Sequence, residues 1–172
     1  ARARSFADWT AMSLIHAGLY RFGSDGEATV DLLAEPPRSL KRGRVWRCRL
    51  RPARYHDGRR VRADHVRRSM AALAAGPWAW WPALASVRVR SDYEFDLVFS
   101  QTQKLSELAQ TLASPALSIW PGGDGRVGAG PFAAVAWSPA EQALVLAAAE
   151  RHHRGRPYLD GLTLAGGLGV DG

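Results

Sequence analysis

Alternating hydrophobic and polar positions predict strands in several parts of the chain. Between residues 45 and 51, Trp46, Cys48 and Leu50 alternate with three arginines. Successive side chains of a strand point to opposite faces, so this pattern predicts a strand with one buried face and one arginine-covered face. Similar apolar runs, bounded by turn residues, predict further strands over 86–90, 94–99, 132–137, 143–148 and 162–164.

A turn at residues 91–93 predicts that the strands 86–90 and 94–99 form a hairpin. In that register Arg88 lies opposite Asp96, and Arg90 lies opposite Glu94. Oppositely charged cross-strand pairs stabilise a sheet by about 0.2–1 kcal/mol each. The hairpin therefore gives these arginines a structural role that needs no ligand.

Apolar residues spaced by three or four positions predict three helices, over 9–22 with a break at Gly18, over 63–75, and around Leu105–Leu112. Asp64 in the first turn and Gly76 after the last turn are typical of helix ends. Helices and hairpins follow one another without regular βαβ alternation. The predicted fold class is therefore α/β of an irregular, mixed α+β kind.

Composition excludes several classes of protein. The chain has 172 residues, of which 47% are apolar and one is cysteine. This length supports a real hydrophobic core and argues against a disordered chain. A lone cysteine excludes a disulfide framework and a zinc site built from several cysteines. The uncharged stretch 69–87 is interrupted by Gly76-Pro77 and Pro82, so it predicts a helix end and an aromatic turn rather than a membrane span.

The formal net charge of +7 is concentrated in one segment. Residues 38–68 hold thirteen basic residues against two acidic ones, a distribution that is also found in nucleic-acid-binding proteins. A single-strand binder would place aromatic and basic side chains on one exposed face. Trp46 instead falls on the face opposite the arginines of its strand. The pattern favours a solvated strand face and disfavours nucleic-acid binding.

The sequence holds no recognisable catalytic or metal-binding motif. His152 and His153 are adjacent, so in an extended segment their side chains would point in opposite directions. His56 stands beside Asp57-Gly58 and is typical of a turn. Neither a Gly-x-Ser-x-Gly nor a His-Glu-x-x-His pattern occurs. We therefore predict a protein that is not an enzyme and has no metal or cofactor.

Several short segments occur in the order found in one family. The segments are Ala17-Gly-Leu-Tyr20, Leu33-Ala-Glu35, Trp46-Arg-Cys-Arg-Leu-Arg51, Tyr55 to Ser69 with its His-Asp-Gly and Ala-x-Asp features, Val127-Gly-Ala-Gly-Pro-Phe132 and Pro157-Tyr-Leu-Asp160. Together they resemble the bacterial extracellular solute-binding proteins of family 5, which serve ABC importers of oligopeptides, dipeptides and nickel. The resemblance covers nearly the whole chain. Two positions depart from the family pattern. The family has Ser or Thr where this chain has Arg62, and it has Glu where this chain has Ala17.

The resemblance implies a periplasmic-binding-protein-like fold of type II, of which this chain is the N-terminal portion without the second lobe. Residues 1–29 would belong to the first lobe, residues 30–118 to its small outer subdomain, and residues 119–172 to an incomplete return to the first lobe. The implied function is the solute-binding component of an ABC importer for peptides or similar small solutes. Its partners would be the solute, an ABC permease and the missing second lobe.

The same resemblance implies a ligand-binding wall around Ala17, Gly18 and Leu19, with His16 beside it as a candidate contact. A packed helix position explains His16 better than ligand contact does. Trp81 matches a tryptophan that reaches the cleft in nickel-binding members, while Trp78 stands where those members have an arginine. Core packing explains the two tryptophans better than ligand contact, and the absent arginine argues against a nickel chelate. The implied location is periplasmic or otherwise extracytoplasmic. In some members of such a family the full precursor would carry a lipid anchor. An isolated chain of this length is expected to bind solute weakly or not at all.

Two other functions stay open from the sequence. The same fold occurs in transcription regulators as a solute-sensing module fused to a DNA-binding domain. The arginine-rich segment 38–68 could alternatively bind nucleic acid directly, and a steep salt dependence would distinguish that function.

Overall fold

The computed structural model describes residues 6–74, 81, 83–123, 126–140 and 142–165. These residues form three helices, α1 to α3, and nine strands, β1 to β9, in three sheets. The helices are α1 (Phe6–Ile15), α2 (Ala63–Ala74) and α3 (Leu105–Leu112), and a 3-10 turn covers Pro115–Leu117. The strands are β1 (Tyr20–Phe22), β2 (Ala28–Val30), β3 (Arg38–Leu40), β4 (Val45–Arg49), β5 (Leu84–Val89), β6 (Glu94–Phe99), β7 (Phe132–Ser138), β8 (Ala143–Ala148) and β9 (Gly161–Ala165). The mixed α/β class predicted from the sequence is confirmed.

The largest sheet is antiparallel, with the strand order β3-β4-β6-β5. Trp46, Cys48 and Leu50 are buried, whereas Arg47 and Arg49 are exposed. The alternation predicted for this segment is therefore confirmed. The hairpin register is confirmed as well, because Arg88 lies opposite Asp96.

Asp96 takes its ion-pair partners from positions other than the one directly opposite on β5. The Asp96 carboxylate, 1% exposed, accepts from Arg47 Nε at 2.9 Å and Arg90 Nη2 at 2.7 Å. Arg47 is its cross-strand partner on β4, and Arg90 reaches it diagonally, as long side chains do on a sheet. The charge pairs expected for Arg88 with Asp96 and for Arg90 with Glu94 are thus both wrong at the side-chain level, although the backbone register is right. The arginines outweigh the effect of burial and lower the pKa of Asp96.

The Asp96→Asn variant should lose about 2 kcal/mol of unfolding free energy at pH 7, since charged hydrogen bonds to two arginines are weakened. A carboxyl with a lowered folded-state pKa stabilises the fold above its unfolded pKa, about 3.9, and stops doing so as the pH falls through its folded pKa. Urea denaturation should therefore show the wild-type advantage shrinking below about pH 4. As a control, Asp92→Asn removes the exposed pair with Arg62 and should cost less than about 1 kcal/mol. An advantage that persists unchanged at pH 2 would contradict this account.

The helix predicted over 9–22 ends earlier than expected, at Ile15. The chain from Ala17 onward is extended because its carbonyl groups are used between segments. Ala17 O accepts from Ile119 N, Gly18 O from Leu32 N and Leu19 O from Asp31 N, at 2.8 to 3.1 Å. Hydrogen bonds to residues 31, 32 and 119 thus replace those of a helix.

Helix α2 agrees with the prediction from Ala63 to Ala74, and the rest of the predicted helix end and aromatic turn, including Trp78, lies outside the described residues. Arg62 has no side chain able to cap this helix. His65 Nδ1 accepts the Arg62 N–H at 3.2 Å, which is the contact that the third helical residue makes in a capping box. The acceptor that a Ser or Thr would offer to the first-turn N–H groups is not replaced by this contact.

Two clusters of buried apolar side chains hold the elements together. The larger one joins the β3-β4-β6-β5 sheet to α2, α3 and the 17–19 segment. The smaller one, formed by Ile15, Phe132 and Leu146, lies between α1 and the β7-β8-β9 sheet. Strand β7 lies at the edge of that sheet and leaves Val135 and Trp137 more than half exposed. No helix in the described part of the chain is long and apolar enough to cross a membrane.

Candidate functional site

A cavity of about 540 Å³ lies where the end of α1, strand β1 and the loop after β8 meet. This volume falls within the roughly 300–1,000 Å³ common for small-molecule sites. Its lining is polar and apolar in mixture and comes from segments far apart in the sequence. The lining residues are Ser13, His16, Gly18, Tyr20, Arg21, Phe22, Asp31, Ala113, Ser114, Pro115, Ser118, Pro131, His152 and Arg154. We call it the α1–β1 cavity.

Gly18 allows the close packing of the segment that forms one wall of this cavity. A Cβ atom at this position would lie 2.7 Å from the Tyr20 carbonyl oxygen and 3.4 Å from that of Leu112. Both obstacles are backbone atoms, so a side chain here would push the wall apart. Glycine is therefore required by close approach of the backbone.

Two arginines and one aspartate set the electrostatics of the α1–β1 cavity. Arg154 donates to the Val30 carbonyl oxygen at 3.4 Å, and burial together with the charge of Arg21 lowers its pKa. Arg21 Nε is buried and has no hydrogen-bond partner among the described residues. Asp31 is the one carboxylate among the lining residues. The two arginines and Asp31 thus give the cavity one more formal positive charge than negative charge.

Asp31 is held by a histidine from the loop after β8. His153 Nε2 donates to Asp31 Oδ1 at 2.9 Å, and the two side chains are 1% and 9% exposed. This contact joins residues 122 positions apart in the sequence. It fixes the β8–β9 loop against the end of β2.

His152 lies beside His153, with ring centroids 4.2 Å apart. The expectation that these rings would point in opposite directions is wrong, because residues 150–154 form turns instead of an extended segment. Burial, and then the neighbouring His153, lower the pKa of His152 to about 4. His152 is therefore neutral at pH 7. Its Nδ1–H then donates to the Gly155 carbonyl oxygen at 3.2 Å, and its Nε2 is left as an acceptor.

The family sequence model for bacterial extracellular solute-binding proteins, family 5, middle part, matches residues 28–165. The chain belongs to this family. No curated protein matches the sequence. The family resemblance predicted from the segment order is therefore confirmed, and with it a family of substrate-binding proteins rather than enzymes.

Solved structures of family 5 proteins share the fold. AgaA from A. tumefaciens R10, in complex with agropinic acid, is 20% identical, with a TM-score of 0.83 over 94% of this chain and 35% of that chain. MoaA from A. tumefaciens R10, in complex with mannopinic acid, is 25% identical, with a TM-score of 0.82 over 94% and 36%. Listeria monocytogenes OppA bound to peptide is 16% identical, with a TM-score of 0.83 over 95% and 39%.

These comparisons confirm the periplasmic-binding-protein-like fold. They also define how much of it is present, because the chain spans little more than a third of the length of these solute-binding proteins. The predicted boundaries at residues 29 and 118 stay predictions.

The ligand-binding residues predicted from the sequence separate into different environments. His16 and Gly18 line the α1–β1 cavity, whereas Ala17 and Leu19 are buried in the larger core cluster. Trp81 packs on Phe99 with ring centroids 5.2 Å apart and is not among the cavity-lining residues. Trp78 lies outside the described residues.

Sequence reasoning missed the charged residues of this cavity. Arg21 directly follows a recognised segment, but Asp31 and Arg154 are brought to it by pairing and loop geometry. Nothing in the sequence links positions so far apart. Within the described ranges, no three His, Cys, Asp or Glu side chains are grouped so as to hold a metal ion.

Proposed function

We propose that this chain forms part of the solute-binding component of an ABC importer for peptides or similar small solutes. Membership of the family supports the transport role, and the fold shared with OppA, whose structure holds a peptide, supports the solute class. The location would be extracytoplasmic, as the family description indicates. A permease would then receive the solute.

The observation that carries this proposal is the α1–β1 cavity beside the 16–19 segment. Arg21 and Arg154 both line this cavity and outnumber the single lining carboxylate. Guanidinium groups bind carboxylates through paired, charge-assisted hydrogen bonds. A solute with a carboxylate, such as the C-terminus of a short peptide, therefore fits this wall better than a cation does.

The proposed mechanism is enclosure of the solute between this chain and a second lobe. The chain spans little more than a third of the solute-binding proteins that share its fold. A solute favours a closed form only when it makes contacts there that it lacks in the open form. With one wall alone, these contacts are too few for tight binding. We include residues 1–29 and 119–172 in the first lobe and residues 30–118 in its outer subdomain.

A peptide titration followed by two-dimensional amide NMR tests the proposal on the chain itself. We expect a dissociation constant weaker than about 1 mM, equivalent to less than about 4 kcal/mol of binding free energy. Shifts should concentrate at Gly18, Arg21 and Ser118, and C-terminal amidation of the peptide should abolish most of them. At the same peptide concentration, Arg154→Gln should reduce the size of these chemical-shift changes at least threefold.

Arg38→Gln is the matched control, since Arg38 is exposed and is not among the residues that line the α1–β1 cavity. On titration with the peptide, this variant should show the same chemical-shift changes as the wild type. Saturable binding tighter than millimolar would contradict the need for a second lobe, and shifts confined to another face of the protein would overturn the proposed site.

A further inference from the structure

A second concave surface, of about 500 Å³, lies on the other side of the β8–β9 loop. Its cationic lining consists of Arg54, Arg60 and Arg151, and its remaining polar groups are Tyr93 and His153. Pro52 and Ala53 supply an apolar part. No aspartate or glutamate is among the lining residues. We call it the arginine pocket.

The backbone forces two of the three positive charges together. Arg54 and Arg60 are direct partners of an antiparallel β-bridge. Partners across such a bridge place their side chains on the same face, and like charges placed directly opposite destabilise the pairing. The sequence thus accepts a repulsion at this point that neutral side chains would avoid.

No carboxylate in the described part of the chain relieves this repulsion. Arg54, Arg60 and Arg151 take part in none of the ion pairs formed by the described residues. In contrast, the neighbouring arginines on the same segment are paired, Arg59 with Asp57 and Arg62 with Asp92. The acidic residues near the pocket are therefore already used by arginines outside it.

The pocket also retains unused donors. Arg54 gives one N–H to the Gly58 carbonyl oxygen at 2.7 Å, and Arg60 gives one to the Tyr93 hydroxyl at 3.4 Å. A guanidinium has five N–H donors, so most remain for a ligand. His153 adds no donor to them, because its Nε2–H donates to Asp31 and its buried Nδ1 is then an acceptor.

We propose that the arginine pocket binds a phosphate-type oxyanion, either free phosphate or the phosphate group of a phosphomonoester. Three guanidinium groups carry more than enough positive charge to neutralise a phosphate, whose charge near neutral pH lies between −1 and −2, and their planar donor geometry suits its oxygens. In a phosphomonoester the organic part would lie against Pro52, Ala53 and the Tyr93 ring. This site is separate from the solute wall of the α1–β1 cavity, and its failure would leave the proposed transport function untouched.

Calorimetric titration with inorganic phosphate at constant ionic strength tests the site. The wild-type chain should bind one phosphate saturably. Arg60→Gln and Arg151→Gln should each weaken binding about tenfold or more, which is the effect of losing charged hydrogen bonds. Arg38→Gln removes the same charge outside the pocket and should change the affinity less than twofold.

Thermal melting provides a second readout that does not depend on measuring heat. Without phosphate, Arg60→Gln should melt at the same temperature as the wild type or higher, because the repulsion with Arg54 is removed. With phosphate, the melting temperature of the wild type should rise more than that of Arg60→Gln at the same phosphate concentration. Phenyl phosphate that binds more tightly than inorganic phosphate would assign the pocket to a phosphomonoester, and equal affinity would assign it to free phosphate. Both results support the proposal.

Three results would overturn it. The first is the absence of saturable phosphate binding by the wild type. The second is equal weakening by Arg60→Gln, Arg151→Gln and Arg38→Gln, which would show a diffuse charge effect. The third is displacement of phosphate by duplex DNA with a steep salt dependence, since this identifies an extended polyanion surface over the basic segment.

Discussion

The Gly128→Ala variant should lose at least about 3 kcal/mol of unfolding free energy, a large part of the 5–15 kcal/mol typical of a domain. A Cβ atom at this position would lie 1.8 Å from the Ile15 carbonyl oxygen and 2.6 Å from the Ile15 carbonyl carbon. Real Cβ contacts are not that short, and the obstacle is backbone. The end of α1 would therefore have to move away from the 128–130 segment. Urea denaturation followed by circular dichroism measures the loss.

Gly122→Ala is the matched control for this change. Gly122 has a φ of +95°, and apart from its two neighbours in the chain nothing lies within 4 Å of the place that a Cβ atom would occupy. Its replacement should cost only the strain of a left-handed alanine, about 1–2 kcal/mol. If both variants lost the same stability, close packing on α1 would not be what requires glycine at position 128.

The Asp31→Ala variant should have the second largest effect, a loss of about 3 kcal/mol. His153 is 1% exposed and already has one ring nitrogen without a partner among the described residues. Removing Asp31 would leave its other nitrogen unpaired as well, and a buried group that loses its partner costs about 1–3 kcal/mol, or more when charged. Chemical denaturation at pH 7 measures this loss.

A double-mutant cycle separates the Asp31–His153 contact from other effects of each substitution. If the contact carries the loss, Asp31→Ala, His153→Ala and the double variant should show a coupling energy of about 1–3 kcal/mol. Asp31→Asn keeps an oxygen that can accept from His153 and should lose less than Asp31→Ala. A coupling energy near zero would contradict a stabilising role for this pair.

Local patterns in the sequence predict the strands and the register of the hairpin well. Strand β4 alternates apolar residues with arginines because one face packs on the core, and this regularity is visible without a structure. The turn at 91–93 fixes the pairing of Arg88 with Asp96 for the same local reason. The family segments are local as well, which is why the family could be recognised.

Contacts between distant segments could not be predicted in this way. Residues 9–22 have helical spacing with a break predicted at Gly18, yet the chain already leaves the helix after Ile15 because hydrogen bonds to Leu32 and Ile119 are available. Asp96 is paired diagonally with Arg90, and the choice among several nearby arginines depends on side-chain reach. The contact of His153 with Asp31 depends on where a loop returns to the body of the protein. The charged part of the candidate site arises from such contacts, so only its His16–Gly18 wall could be predicted.

Strand β7 has a consequence for the behaviour of this chain in solution. On its outer edge β7 has no partner strand among the described residues, so backbone N–H and C=O groups there can still form hydrogen bonds with another strand. The side chains of Val135 and Trp137 on the same strand are exposed to water. Such an edge favours association of one copy with another. The register irregularity between Ala134 and Ala136 interrupts the edge, and the net charge of +7 keeps copies apart at low ionic strength. Salt screens that repulsion while leaving the apolar edge unchanged, so colloidal stability of the protein is tied to ionic strength.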